Sequence, residues 1–226
     1  MASVAENLAA VWERIASAAR RSGRDPAGIR LVAVSKYVSD ARLMEAVEAG
    51  QRAFGENRAQ ELKGRLERLG ADLEWHFIGH LQTNKVNMVV GRVVLIHSVD
   101  SERLLEAIAE RARKLGTVQD ILLQVNLTGE ESKYGAEAEE VAGLLDRALL
   151  LPDVRVRGLM TMAAQAEDAE AARPCFRRLR ELRDMLVRDR PGIELEILSM
   201  GMTQDFEVAV EEGANMLRVG TAIFAT

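Results

Sequence analysis

Lys36 closes a short apolar run, Leu31-Val32-Ala33-Val34, from which it is separated only by Ser35. A lysine whose stem leaves an apolar core and whose amine reaches the mouth of that core, near a second cation such as Arg218, is a nucleophile suited to attack a carbonyl. Taken alone, the same residue is an ordinary strand-end lysine reaching water. Two later segments change that balance. Ser199-Met200-Gly201-Met202-Thr203 and Arg218-Val219-Gly220-Thr221 each follow or close an apolar run with glycine and hydroxyl residues. Glycine lets the backbone approach an anion, and a helix N-terminus aims unpaired N–H groups at it, so Ser199, Gly201, Gly220 and Thr221 suit a phosphate. A Schiff-base lysine beside a phosphate cradle, with no metal cluster, points to pyridoxal 5'-phosphate (PLP) or to an aldolase acting on phosphorylated sugars.

Those residues lie far apart in the chain, so a particular order of elements must bring them together. The first segment places Leu8, Val11, Trp12, Ile15 and Ala19 on one helical stripe. The β-branched run Ile29 to Ser35 predicts a buried strand, Ser39 or Asp40 can cap a helix to about Gly50, and Arg52 to Gly55 predicts a second strand. Further apolar runs stand at Trp75 to Ile78, Val93 to His97, Ile121 to Val125, Val154 to Leu159, Leu195 to Leu198 and Met216 to Val219. Between them, Ser101 to Lys114, Glu137 to Leu150 and Arg173 to Arg188 are amphipathic helical patterns long enough to cross over between parallel strands.

Roughly eight strand-helix units predict an α/β fold, the (β/α)8 TIM barrel, for which about 250 residues is usual. A doubly wound sheet is the rival, but the G-x-G-x-x-G turn it favours is absent after the first strand, where Ser35-Lys36-Tyr37 stands. Without a linker or composition shift, one domain over 1–226 is expected. Only Thr221 to Thr226 follow the last run, so the N-terminal helix is expected to stand in for a missing final helix. The site of such a barrel lies at the C-terminal strand ends, which groups Lys36, Gly55-Glu56-Asn57, Gly79-His80 and the two glycine-hydroxyl segments.

The composition narrows the class. With 48% hydrophobic residues in 226 there is material for one sizeable core, and only 4% aromatics argues against an aromatic-rich sandwich. The 30 Lys and Arg against 35 Asp and Glu give a net charge of −5 without a basic block, so no nucleic acid partner is expected. The N-terminus lacks the apolar core of a signal peptide, no stretch approaches the roughly 20 apolar residues of a membrane span, and Cys175 is the lone cysteine. A cytoplasmic protein without membrane attachment is the expectation. Alternating surface charge without an apolar docking patch predicts a monomer.

Other candidates have plainer readings. His76 and His80 have helical spacing, but Trp75 to Gly79 reads as strand, so no metal is expected. Glu56 and Asp205 can act as acids or bases, though helix capping is the simpler role. Tyr37, next to Lys36, is expected to point the other way by strand alternation. Met200, Met202 and Met216 suit a core, and Cys175 has no activating partner in the sequence.

The same residues resemble the pyridoxal 5'-phosphate homeostasis protein family, single-domain relatives of the alanine racemase barrel. The likeness covers nearly the whole chain. It is carried by Leu31 to Lys36, Phe54 to Asn57 with Gln60-Glu61, His76 to Gly79 with Leu81-Gln82 and Asn84-Lys85, Gly158 to Met160, Leu198 to Met202 with Asp205, and Arg218 to Thr221 with Ile223-Phe224. The resemblance implies PLP as an internal aldimine on Lys36. Ser199, Gly220 and Thr221 would then hold its phosphate with Thr203 close by, Arg218 would face the pyridine nitrogen, and Asn57 would lie near the ring. An arginine there disfavours protonation of the ring nitrogen, so the cofactor is a poorer electron sink than one paired with aspartate.

Racemases of the related fold add a β-rich domain whose tyrosine supplies an opposing base, and this chain ends shortly after the barrel. The resemblance therefore implies a carrier or regulator of vitamin B6, with PLP-dependent apo-enzymes as candidate recipients, in preference to a catalyst. The alternatives are a weak PLP-dependent amino-acid racemase or lyase and a Schiff-base aldolase without PLP. Thr203 where serine is commoner, and Ala225-Thr226 where glycine usually follows phenylalanine, are the departures from the family pattern.

Overall fold

The computed structural model describes residues 2–69, 72–129, 134–164 and 166–225; the departure at Thr226 lies outside them. The strands are β1 (Arg30–Val34), β2 (Ala53–Glu56), β3 (Glu74–Phe77), β4 (Leu95–Val99), β5 (Gln119–Asn126), the two-residue β6 (Ala136–Glu137), β7 (Val154–Met160), β8 (Ile197–Ser199) and β9 (Met216–Val219). They pair in the order β4-β3-β2-β1-β9-β8-β7-β5-β6, and a further β4–β5 pairing closes the ring. All pairings are parallel. Eight strands thus form the expected barrel, with β6 a short appendage on β5. Strands buried on both faces must read as unbroken apolar runs, and β1 does so from Leu31 to Val34.

Around the barrel run α1 (Val4–Arg21), α2 (Asp40–Glu48), α3 (Ala59–Leu69), α4 (Val86–Val89), α5 (Glu102–Leu115), α6 (Val141–Leu149), α7 (Arg173–Asp189), α8 (Phe206–Glu211) and α9 (Thr221–Phe224). α6 begins later than the amphipathic pattern suggests because Ala136 and Glu137 are drawn into pairing with β5. α5 buries Leu104, Leu105 and Ile108 against the barrel, each contributing about 1.5–3 kcal/mol, and Gly116 in the left-handed region ends it.

The N-terminal helix takes the place expected of it. A capping box between Ser3 and Glu6 starts α1, and its stripe packs against α2, α8 and α9. Asn7 Nδ2 donates to the Ile223 carbonyl at 3.1 Å, which fixes the helix beside the end of β9. Trp12 lies at the edge of that stripe and is exposed, while Val4 is fully buried.

Two apolar layers result. The outer one lies between strands and helices; the inner one is a plug of Val32, Leu95, Leu122, Met160 and Met216 inside the barrel. Side chains two residues apart on a strand share a face, so His97, Ser199 and Arg218 sit one layer above Leu95, Ile197 and Met216. The plug becomes a floor for polar groups.

Candidate functional site

A cavity of about 540 Å³ opens at the C-terminal end of the barrel. Val34, Lys36 and Tyr37 enter it from the end of β1, Met202 to Asp205 from the loop after β8, and Arg218, Gly220 and Thr221 from the end of β9. Alanines of the segment after β7 form the remaining wall. Lys36 lies beyond the last residue of β1 and is exposed; its stem does not rise through the core.

Glycine sets the spacing of the rim. A Cβ on Gly220 would stand 3.2 Å from Val34 Cβ and 3.3 Å from the Val34 carbonyl oxygen, so the bare backbone lets the end of β9 close on the end of β1. Gly201 has φ +94°, and a Cβ there would meet Ala209 Cβ at 2.6 Å. The loop after β8 is joined to α9 by the Ala222 N–H, which donates to Thr203 Oγ1 at 3.4 Å.

Beneath this rim lies a buried polar chain. Arg218 Nη1 donates to Ser199 Oγ at 2.5 Å and its Nη2 to the Thr161 carbonyl at 2.9 Å. Ser199 Oγ also pairs with His97 Nδ1 at 2.9 Å, and His97 Nε2 pairs with His76 Nδ1 at 3.0 Å. Burial pulls Arg218 down to about 10 while Asp205 pulls it back, so it remains a cation at neutral pH. Burial also lowers both histidines, His76 to about 3 and His97 well below 6.5.

The structure therefore brings Lys36, Thr203, Arg218, Gly220 and Thr221 together around one cavity. Ser199 is fully buried and reaches that cavity through Arg218. Asn57 is not among the residues that line this cavity; it sits past the end of β2, where Gly79 packs on its backbone, and its buried Oδ1 has no partner among the described residues.

Further expectations need correction. Strand alternation does not set the direction of Tyr37: β1 has ended at Val34, Tyr37 adopts φ 63°, and although the residue borders the same cavity its ring lies under Arg58. Glu56 caps no helix; β2 extends to include it, it is fully buried, and Ser35 Oγ donates to its Oε1 at 2.6 Å. Asp205 stands at the start of α8 but turns its carboxylate back to the Met202 N–H at 2.6 Å. Burial pushes both carboxyls upward, countered for Glu56 by Ser35 and Arg65 and for Asp205 by Met202 and Arg218. Of the methionines, Met200 and Met216 are buried whereas Met202 lines the cavity.

The buried histidine pair was not anticipated as a unit. Its signal is a histidine on each of two adjacent parallel strands, visible once register pairs His76 with Leu95. Among the described residues no cluster of three or more His, Cys, Asp or Glu could hold a metal ion.

One primary amine, two rim hydroxyls with the bare Gly220 backbone, and a buried cation at the base make a donor set that fits a small aldehyde carrying a phosphate. Comparison with known proteins gives the same direction. The family model described as alanine racemase, N-terminal domain, matches residues 7–226. The pyridoxal phosphate homeostasis protein of Aquifex aeolicus is 49% identical over 220 residues, covering 97% of this chain and 96% of its own. That of Pseudomonas aeruginosa is 40% identical over 225 residues, covering 99% and 96%. The solved structure of PipY from Synechococcus elongatus PCC7942, with PLP bound, has a TM-score of 0.87 at 37% identity and covers 99% of this chain and 100% of that one.

Proposed function

The chain belongs to the pyridoxal phosphate homeostasis protein family, and from that premise we propose that it binds PLP through Lys36 and buffers or delivers it. One observation carries the reading: Lys36 and the Gly220-Thr221 end of β9 line a single cavity that also takes in the buried cation Arg218. When bound, PLP supplies an aldehyde that condenses reversibly with a primary amine.

The residues divide the work. Gly220, Thr221 and Thr203 form the rim that takes the phosphate. Ser199 is fully buried and acts on the ligand only indirectly, by fixing Arg218 from below. Arg218 keeps its charge at the base of the cavity and so disfavours a proton on a heterocyclic nitrogen beside it. Asn57 offers an unpaired carbonyl oxygen as a polar positioning group. Reversible storage is the activity that such a set supports, and the relatives matched over nearly their whole length are named for homeostasis. The remaining parts of the reading are one binding domain over 1–226, a monomer acting in the cytoplasm, and PLP-dependent apo-enzymes as recipients.

The test is spectroscopic. Protein purified with PLP should absorb at about 420 nm, the region expected of such an adduct, and Lys36→Ala should abolish the band. Borohydride reduction and mass spectrometry should place the adduct on Lys36. An unchanged spectrum in the variant refutes the assignment.

A further inference from the structure

The segment that carries Lys36 is fastened from beneath by one guanidinium. Ser35 to Val38 is a turn closed by the Val38 N–H, which donates to the Ser35 carbonyl at 3.0 Å. Tyr37 adopts φ 63° within it, a conformation that a β-carbon disfavours and that persists only where the surroundings enforce it.

The surroundings are Arg65 and Glu56. Arg65, from α3, is only 6% exposed. Its Nη2 donates to the Ser35 carbonyl at 3.2 Å and also to the Val38 carbonyl, so one group ties both ends of the turn. Its Nη1 pairs with the Asp40 carboxylate just beyond, and its Nε faces Glu56 Oε1 at 3.3 Å. That same Glu56 oxygen accepts the Ser35 hydroxyl at 2.6 Å. Outside, Arg58 lies over the Tyr37 ring and donates to its hydroxyl at 3.1 Å.

Stability alone does not account for this arrangement. An apolar pair of similar volume generally packs as well as a buried ion pair without its desolvation cost, and Glu56 Oε2 has no hydrogen-bond partner among the described residues. What the pair does achieve is a fixed path for the backbone on both sides of Lys36.

We propose that Arg65 and Glu56 are positioning residues for Lys36, holding the Ser35–Val38 turn so that its amine meets the aldehyde of a bound ligand. The inference rests on the PLP reading above. The step concerned joins the Lys36 nitrogen to the aldehyde carbon as C=N, while the carbonyl oxygen leaves as one water and no oxidation state changes. The phosphate rim, built from the loops after β8 and β9, is not part of the clamp.

The experiment compares two ligands on purified protein: PLP, and pyridoxine 5'-phosphate, which has a hydroxymethyl group in place of the aldehyde and cannot condense. In Arg65→Met, PLP affinity and the borohydride-trapped fraction on Lys36 should fall about tenfold or more, while pyridoxine phosphate affinity stays within about twofold. Arg65→Lys should restore part of the loss, and Glu56→Gln should show the same selectivity with a smaller loss. If Arg65→Met does not fold, these two milder variants carry the same comparison. Equal weakening of both ligands, or of neither, overturns the clamp. Wild-type protein that traps no PLP on Lys36 overturns the functional reading itself, and the two failures are thereby distinguished.

Discussion

The imidazoles of His76 and His97 meet nitrogen to nitrogen at 3.0 Å inside the barrel, above its apolar plug. Burial keeps both neutral, with His76 at about 3 and His97 well below 6.5. In the unfolded chain each takes up a proton near pH 6.5. Between that value and about pH 3 the unfolded state binds more protons, so folding stability falls as the pH falls, by up to about 1.4 kcal/mol per pH unit for each histidine. Glu56 and Asp205, raised by burial, act in the opposite sense above their unfolded values. Urea unfolding of the wild type against a His76→Asn/His97→Asn double variant isolates the histidine part. The difference should grow steadily less favourable to the wild type below about pH 6.5; a constant difference across that window rules the prediction out.

Ser199 separates two roles that the sequence alone leaves merged. A serine that only touched phosphate would leave the ligand-free protein unaffected when replaced. Here its hydroxyl takes Arg218 Nη1 at 2.5 Å and meets His97 at 2.9 Å. Ser199→Ala strands both buried partners, so the ligand-free protein should lose about 1–3 kcal/mol of stability, measured by chemical denaturation. An unchanged midpoint would show that Arg218 is held without it.

Gly79 is needed for a close approach, since a Cβ there would stand 2.2 Å from the Asn57 carbonyl oxygen and 2.7 Å from Asn57 Cα. Both are backbone atoms and cannot swing aside. Gly79→Ala should cost more than about 2 kcal/mol and displace Asn57, so ligand affinity should fall with thermal stability. Loss of neither would mean that the ends of β2 and β3 can separate freely.

The placement of Lys36, Gly220 and Thr221 around one cavity is legible in the sequence because chemistry-bearing residues at the ends of apolar runs survive errors of a residue or two in strand boundaries. β4 and β8 begin two residues into their apolar runs, at Leu95 and Ile197, and the barrel is unaffected. Register and strand ends were not legible. His76 and His97 are 21 residues apart and become neighbours only through parallel pairing, and Tyr37 escaped the alternation rule because the strand stops three residues earlier. Arg65 left a readable trace: it occupies the same buried helical stripe as Ala59 and Leu62, where an unpaired arginine would be costly.

Asn57 offers the clearest separation of stability from binding. Its Oδ1 is buried without a hydrogen-bond partner among the described residues, and an unmet buried acceptor costs about 1–3 kcal/mol. Removing it with Asn57→Ala discards that penalty but also discards the packing of a half-buried side chain, so the two effects oppose each other at similar size. The net change in ligand-free stability should stay within about 1 kcal/mol of zero. If the ligand is the partner of Oδ1, as proposed, binding has no such compensation, because that contact is lost outright. PLP affinity should therefore fall about tenfold, read by titration beside a thermal melt. A variant that is strongly destabilised yet binds PLP as the wild type does would make Asn57 a framework residue and remove it from the site.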